Sequence, residues 1–296
     1  MTYQEFKHHI LAGVQDALGS DFTLSVQDII KNNDTHLDGL TILSPQCNLA
    51  PTIYLNDYYE RYQRGTTPEE IISDILEIYH MHKTDHKIDV SFFTDYGKVK
   101  SRIVFKLINY ERNRELLAGI PHYRYLDLAI VFNCLLESDF PGNATILIRN
   151  QHMTFWSITK DDLYALAISN TPRLLRYDLR NMSEFIKELA CESDLIEPEP
   201  CSAIPMYVLS NQYKLNGAVC ILYQDLLRDF ARQLACDLYI LPSSIHEVLL
   251  IPATSGTSSL DLSAMVREVN ATQLSREEIL SDHVYYYCRD TSKITM

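Results

Sequence analysis

Ser243, His246 and Glu247 place a hydroxyl, an imidazole and a carboxylate within the stretch Pro242-Ser243-Ser244-Ile245-His246-Glu247. Nucleophilic catalysis by serine needs a base within reach of the hydroxyl and an acid that holds the base. The residue types are right, but the spacing argues against the chemistry. Triads draw their members from separate elements, and no GxSxG elbow surrounds Ser243. A polar turn between two buried strands, with serine satisfying backbone groups, needs no chemistry and is the stronger reading. His122 and His152 are further polar groups for a hydrolase-type site, which requires at least two of these candidates to meet in one pocket.

A second cluster, His80-Met81-His82-Lys83-Thr84-Asp85-His86 with Asp89 beyond, offers nitrogens and carboxylates to zinc. Positions i and i+2 do not share a helix face, and the spacing matches neither HExxH nor a finger. A solvated helix end, with histidines near the last carbonyls, accounts for it, and no metal is expected. The third candidate is the basic run Lys98, Lys100, Arg102, Lys106, Arg112, Arg114 and Arg124, set against Glu111 and Glu115. Lys98, Arg102 and Lys106 fall at i, i+4 and i+8, one edge of a helix, and Tyr110, Tyr123 and Tyr125 add aromatic surface. This is either an anion or phosphate-backbone patch or the wet face of an amphipathic helix. Asn150-Gln151-His152 with Trp156 either lines a pocket or forms a strand-to-helix corner anchored by the indole. The corner is favoured, because large aromatics mostly serve cores. There is no Walker A loop, GxGxxG, kinase set or H-x-E…PCxxC signature, and no cofactor is expected.

The elements that must position these groups follow from periodicity. Residues 2–18 read as a helix with Phe6, Ile10, Val14 and Leu18 on one face, and 22–30 and 37–43 as strands. A helix is expected to start within Pro51–Gln63, and Thr67-Pro68-Glu69-Glu70 caps the next. The stripe Val99, Ile103, Leu107, Tyr110, Leu117 predicts a helix over 98–117. Leu126–Leu135 and Thr145–Ile148 read as a strand pair around the turn Pro141-Gly142-Asn143. Thr159 caps a helix over Leu163–Ser169 that Pro172 ends. Gly217–Pro252 reads strand (218–222, paired with 205–210), helix (226–234), strand (238–241), turn, strand (248–251). Ser258–Asp261 caps a helix over Leu262–Val269, Ser275 with Glu278 caps a short one, and Val284–Cys288 is a late strand. The class is α+β, with mixed or antiparallel sheets packed against amphipathic helices. The acid- and proline-rich stretch 191–203 marks a boundary between an N-terminal region, 1–190, and a C-terminal one, 204–296, which together can form one continuous unit.

Composition bounds the partners. The 26 Lys and Arg against 39 Asp and Glu leave −13, spread as −6 over the first 150 residues and −7 over the rest. A polyanion-binding protein is usually basic or strongly lopsided, so nucleic acid is not the default partner. No apolar run approaches the ~20 residues of a membrane helix, and the acid-bearing N-terminus does not read as a signal peptide. The seven cysteines form no CxxC pair and read as reduced thiols of a cytoplasmic protein. The 19 tyrosines suit core margins and interfaces.

Several segments carry a resemblance: Ala50-Pro51-Thr52-Ile53-Tyr54-Leu55 with Tyr58-Tyr59; Asn109-Tyr110-Glu111-Arg112-Asn113; Pro121-His122 with Leu126-Asp127-Leu128-Ala129; Trp156 with Leu163-Tyr164 and Asn170-Thr171-Pro172; and Tyr207-Val208-Leu209, Gly217–Tyr223 and Leu241–Glu247. On these the chain resembles, over nearly its whole length, an uncharacterised bacterial family, a domain of unknown function found mainly in Gram-positive anaerobes. More distantly, residues 146–170 and 205–252 are similar to a second uncharacterised bacterial family. The resemblance implies a cytosolic bacterial protein forming one unit, and brings no activity, ligand or catalytic residue. The expected function is non-catalytic binding, most of all to another protein. The alternatives are a hydrolase built on the His, Glu and Ser candidates, and nucleic-acid binding through 98–125.

Overall fold

The computed structural model describes residues 1–47, 50–83, 91–136, 145–183, 205–254 and 258–296. The turn at Pro141–Asn143, the boundary at 191–203, and Thr84, Asp85, His86 and Asp89 lie outside the described residues. Two compact units form: Met1–Lys31 with Thr35–Ser91, and Asn32–Asp34 with Phe92–Met296.

In the first unit, helix α1 (Tyr3–Leu18) begins at a capping box in which Thr2 and Glu5 bond each other's backbone N–H. Its 3.6-residue period buries Phe6, Ile10 and Val14. Strands β1 (Thr23–Lys31) and β2 (Thr35–Leu43) pair antiparallel, with Val26 opposite Leu40. Strand β3 (Thr52–Tyr54) adds to β2, so helix α2 (Leu55–Gln63) starts later than Pro51. Helix α3 (Pro68–His82) follows the expected Thr67–Glu70 box and buries Ile71, Ile75 and Tyr79. Phe6, Ile10, Leu40, Ile53, Leu55, Ile71 and Ile75 close one core. Each such side chain contributes about 2 kcal/mol by leaving water.

The last boundary between the units along the chain falls in the short helix α4 (Ser91–Thr94), which α5 (Tyr96–Val99) follows. The next element corrects the sequence reading. Residues 103–109 are strand β4 (Ile103–Asn109), not the middle of a helix, and every residue but Lys106 is buried. A strand covered on both faces is an unbroken apolar run, and Ile103-Val104-Phe105 with Leu107-Ile108 mimics a helical stripe by chance. After α6 (Arg114–Ala118) come β5 (His122–Tyr125), β6 (Leu128–Leu135) and β7 (Thr145–Leu147). Strand β6 is the centre of this sheet, with β4 on one side and β5 and β7 sharing the other. Helix α7 (Asn150–Trp156) leads into α8 (Lys160–Leu174), capped by Thr159 and Asp162. Pro172 lies inside the last turn of α8 rather than ending it.

The second sheet contains β8 (Tyr177–Asn181), β9 (Tyr207–Asn211), β10 (Leu238–Leu241), β11 (Val248–Pro252), β12 (Tyr285–Cys288) and β13 (Lys293–Thr295), in the order β13-β12-β10-β11-β9-β8. Strands β8 and β9, on either side of 191–203 in sequence, are neighbours in it. Helices α9 (Leu226–Leu234) and α10 (Ser259–Thr272) also belong to this unit. Residues 217–222 are a 3₁₀ helix, not a strand paired with 205–210. Asn216 enters it in the left-handed region at φ 53°, which turns the chain away from extended pairing. Ser275 and Glu278 bond as expected, but they close a turn and not a helix. All strand pairings among the described residues are antiparallel, so the fold is an α+β arrangement. Phe105, Phe132, Leu209, Ile240, Val248 and Tyr285 belong to one continuous core of the second unit.

Candidate binding site

The turn joining β10 to β11 is held on several sides by backbone bonds. Leu280 N–H donates to the Ser243 carbonyl (2.8 Å) and Ile245 N–H to the Glu278 carbonyl (2.9 Å). Ser244 is buried and accepts the His246 N–H at 2.9 Å. Ser210 Oγ donates to the His246 carbonyl at 2.7 Å. A Cβ on Gly217 would lie 2.2 Å from Ser210 Oγ and 2.5 Å from that same carbonyl, so only glycine fits there. The His246 ring accepts the Asn216 N–H at Nδ1 (3.2 Å). Its Nε2 lies 3.9 Å from the Glu278 carboxylate. The imidazole therefore serves the backbone at Asn216 and faces Glu278.

Ser243 and Glu247 do meet a cavity. About 340 Å3 in volume, it lies against β8, β9 and β11, under Val269 of α10 and Leu274. Its walls are mostly apolar, with Met182, Val208 and Leu249 beside Val269 and Leu274. Ser210, Ser243, Glu247, Asp178, Arg180 and Lys214 supply its polar margin. Arg180 Nε donates to Asp178 at 3.0 Å. An apolar hollow with a few polar groups at the margin is the usual composition of a ligand site.

The other candidates are placed elsewhere. His122, on β5, bonds the Ile120 carbonyl through Nδ1 (3.0 Å) and lies against Tyr110. His152 accepts the Arg149 N–H at Nδ1 (3.0 Å), capping α7, and packs on Phe93 and Trp156. Burial, and then the Arg149 charge, hold its pKa below the ordinary imidazole value. The indole of Trp156 is buried and donates to the Phe93 carbonyl at 3.0 Å, so the strand-to-helix corner is a packing joint. Lys98, Arg102 and Lys106 do not form a helical edge. They sit on α5, on a 3₁₀ turn and on β4 respectively, because the helix that would align them is replaced by a strand. Arg114 and Arg124 instead both lie over the Tyr110 ring and approach Glu111. Burial pushes Cys134 up to about 11 and Cys220 up to about 12, so both thiols stay protonated and unreactive. Among the described residues no three His, Cys, Asp or Glu side chains cluster to hold a metal ion, and no helix is long and apolar enough to cross a membrane.

Sequence reasoning missed one polar gathering. Asp127, at the turn between β5 and β6, accepts bonds from Ser281 Oγ (2.6 Å), from the Tyr285 hydroxyl and from His283 Nδ1 (3.1 Å). Serine and histidine here both point at the acid, and Ser281 is fully buried. In a triad the imidazole stands between hydroxyl and carboxylate, so this knot ties the 281–285 segment to the β5–β6 turn. No local spacing announces it, since Asp127 lies 154 residues from Ser281.

The model of a family of unknown function (DUF5688) matches residues 3–289. The chain belongs to that family. The DUF5688 assignment bears out the whole-chain resemblance read from the sequence and carries no activity or ligand. No curated protein and no solved structure matches the chain.

Proposed function

We propose that this DUF5688 member acts by binding, holding an apolar group of a partner protein in the cavity against β8, β9 and β11. The observation that carries the reading is the division of the Pro242–Glu247 turn. Ser243 and Glu247 stand at the margin of an apolar hollow, while the imidazole that would have to activate Ser243 is engaged by the Asn216 N–H. An apolar wall gains free energy from any apolar group it removes from water, at about 25 cal/mol per Å2. A bacterial, cytoplasmic setting accords with the free thiols Cys134, Cys220, Cys236 and Cys288.

The test uses the fluorescent apolar probe anilinonaphthalene sulfonate on the full chain. Saturable enhancement is expected, and Leu274→Glu should weaken it about tenfold or more by placing a carboxylate in the apolar wall. Equal titration curves for wild type and a folded Leu274→Glu would refute the reading.

A further inference from the structure

Strand β8 ends the six-stranded sheet and pairs, among the described residues, with β9 alone. The bonding pattern fixes which of its backbone groups look outward. Gln212 N–H donates to the Arg176 carbonyl, and Met182 N–H donates to the Met206 carbonyl. Antiparallel pairs alternate between bonded and non-bonded positions. Residues 176, 178, 180 and 182 therefore turn their backbone groups toward β9. Tyr177, Leu179 and Asn181 direct their N–H and C=O groups to the edge at which no described strand pairs.

The side chains of β8 divide with the same period of two. Asp178, Arg180 and Met182 line the apolar cavity described above. Tyr177 and Leu179 line a second one of about 680 Å3, shared with Arg176, Gln224, Asp229, Phe230 and Gln233. One strand edge thus has a hollow on each face. A small compact ligand would use one hollow. An extended chain laid along the edge would bond Tyr177, Leu179 and Asn181 and send alternate side chains into both.

Charge narrows the partner further. The apolar walls of the smaller hollow suit an aliphatic side chain. On the other face Arg176 is exposed, and among the described residues no carboxylate pairs with it. We propose that β8 receives an extended segment of another protein, in which aliphatic and acidic residues alternate, as an added edge strand. This rests on the binding reading of the smaller cavity and names its partner.

The probe is a fluorescein-labelled peptide of alternating Val and Glu, followed by anisotropy on the full chain. Saturable binding is expected. Leu179→Pro removes one outward N–H at an edge, where proline is tolerated, and should weaken binding about tenfold or more, while the loss of a side chain packed on the core also lowers the melting temperature. The same peptide N-methylated at alternate residues should lose binding to the wild-type protein, which removes any dependence on the folding of the variant. An alternating Val and Lys peptide should bind about tenfold more weakly than the Val and Glu peptide. Absence of saturable binding by the Val and Glu peptide would overturn the proposal, as would equal affinity after N-methylation. Dye binding that is sensitive to Leu274→Glu, with the peptide silent, keeps the cavity reading and removes the added strand.

Discussion

The turn at 242–247 and the knot at Asp127 use the same side chains, serine, histidine and an acid, but organise them around different centres. In the turn the centre is His246, whose N–H, carbonyl and ring meet Ser244, Ser210 and Asn216. In the knot the centre is the Asp127 carboxylate, with a serine, a tyrosine and a histidine all pointing at it. Neither arrangement has an imidazole held between an acid and a free hydroxyl, which is what makes serine a nucleophile. The difference lies in what each arrangement secures. The turn joins segments about thirty residues apart, and the knot joins segments more than one hundred and fifty apart. Residue type alone says little about chemistry; the group at the hub decides whether a cluster reacts or fastens.

The larger effect is expected from breaking the knot. Asp127→Ala leaves the Ser281 and Tyr285 hydroxyls without their acceptor, and both residues are fully buried. Each unsatisfied buried hydroxyl costs roughly 1–3 kcal/mol, so a loss of about 3 kcal/mol is expected in urea unfolding. Asp290→Ala is the control, since that carboxylate is exposed. If Asp127→Ala falls no further than this control, the carboxylate is not the hub.

Breaking the turn should cost less. Gly217→Ala forces a methyl group against the Ser210 hydroxyl, the His246 carbonyl and the Asn211 N–H. Overpacking of this kind costs about 2 kcal/mol. Because Ser210 and the β10–β11 turn border the cavity, dye affinity should fall together with stability. A Gly217→Ala protein as stable as wild type would mean that the turn moves aside easily, and the comparison between local and distant fastening would lose its local side.

Local fastening was also what could be read from the sequence. Thr2 with Glu5, Thr67 with Glu70 and Thr159 with Asp162 form the boxes that their spacing implies, because both partners lie within one turn of chain. Strands β1, β2, β6, β10 and β11 followed from apolar runs between turn residues. Two apolar runs were misread. Ile103–Ile108 is a strand buried on both faces, and Ala218–Leu222 is a buried 3₁₀ helix, so neither shows the polar alternation that distinguishes one period from another. Of the candidate site, Ser243 and Glu247 were visible. The cavity they border was not, since its walls come from β8, β9, β11 and α10 and depend on pairing across the sheet. The Asp127 knot was invisible for the same reason.

The smallest effect is expected at one titratable group. His152 fastens locally, accepting the Arg149 N–H three residues back. Burial and the Arg149 charge depress its pKa, so the folded protein favours the neutral ring. The unfolded chain takes up a proton near the ordinary value of about 6.5 while the folded state does not. The stability that His152 contributes is therefore complete above that pH and is lost as pH falls below it. His152→Gln keeps an acceptor at the third position of the cap and removes the titration. Between neutral and mildly acidic pH, wild type should lose more of its urea midpoint than His152→Gln does. Parallel pH dependence in the two proteins would place the ring in solvent-like surroundings, at odds with its packing on Phe93 and Trp156. The knot offers the contrast: there the histidine is the most exposed member, with its side chain 57% accessible, and the fastening is done by the buried hydroxyls.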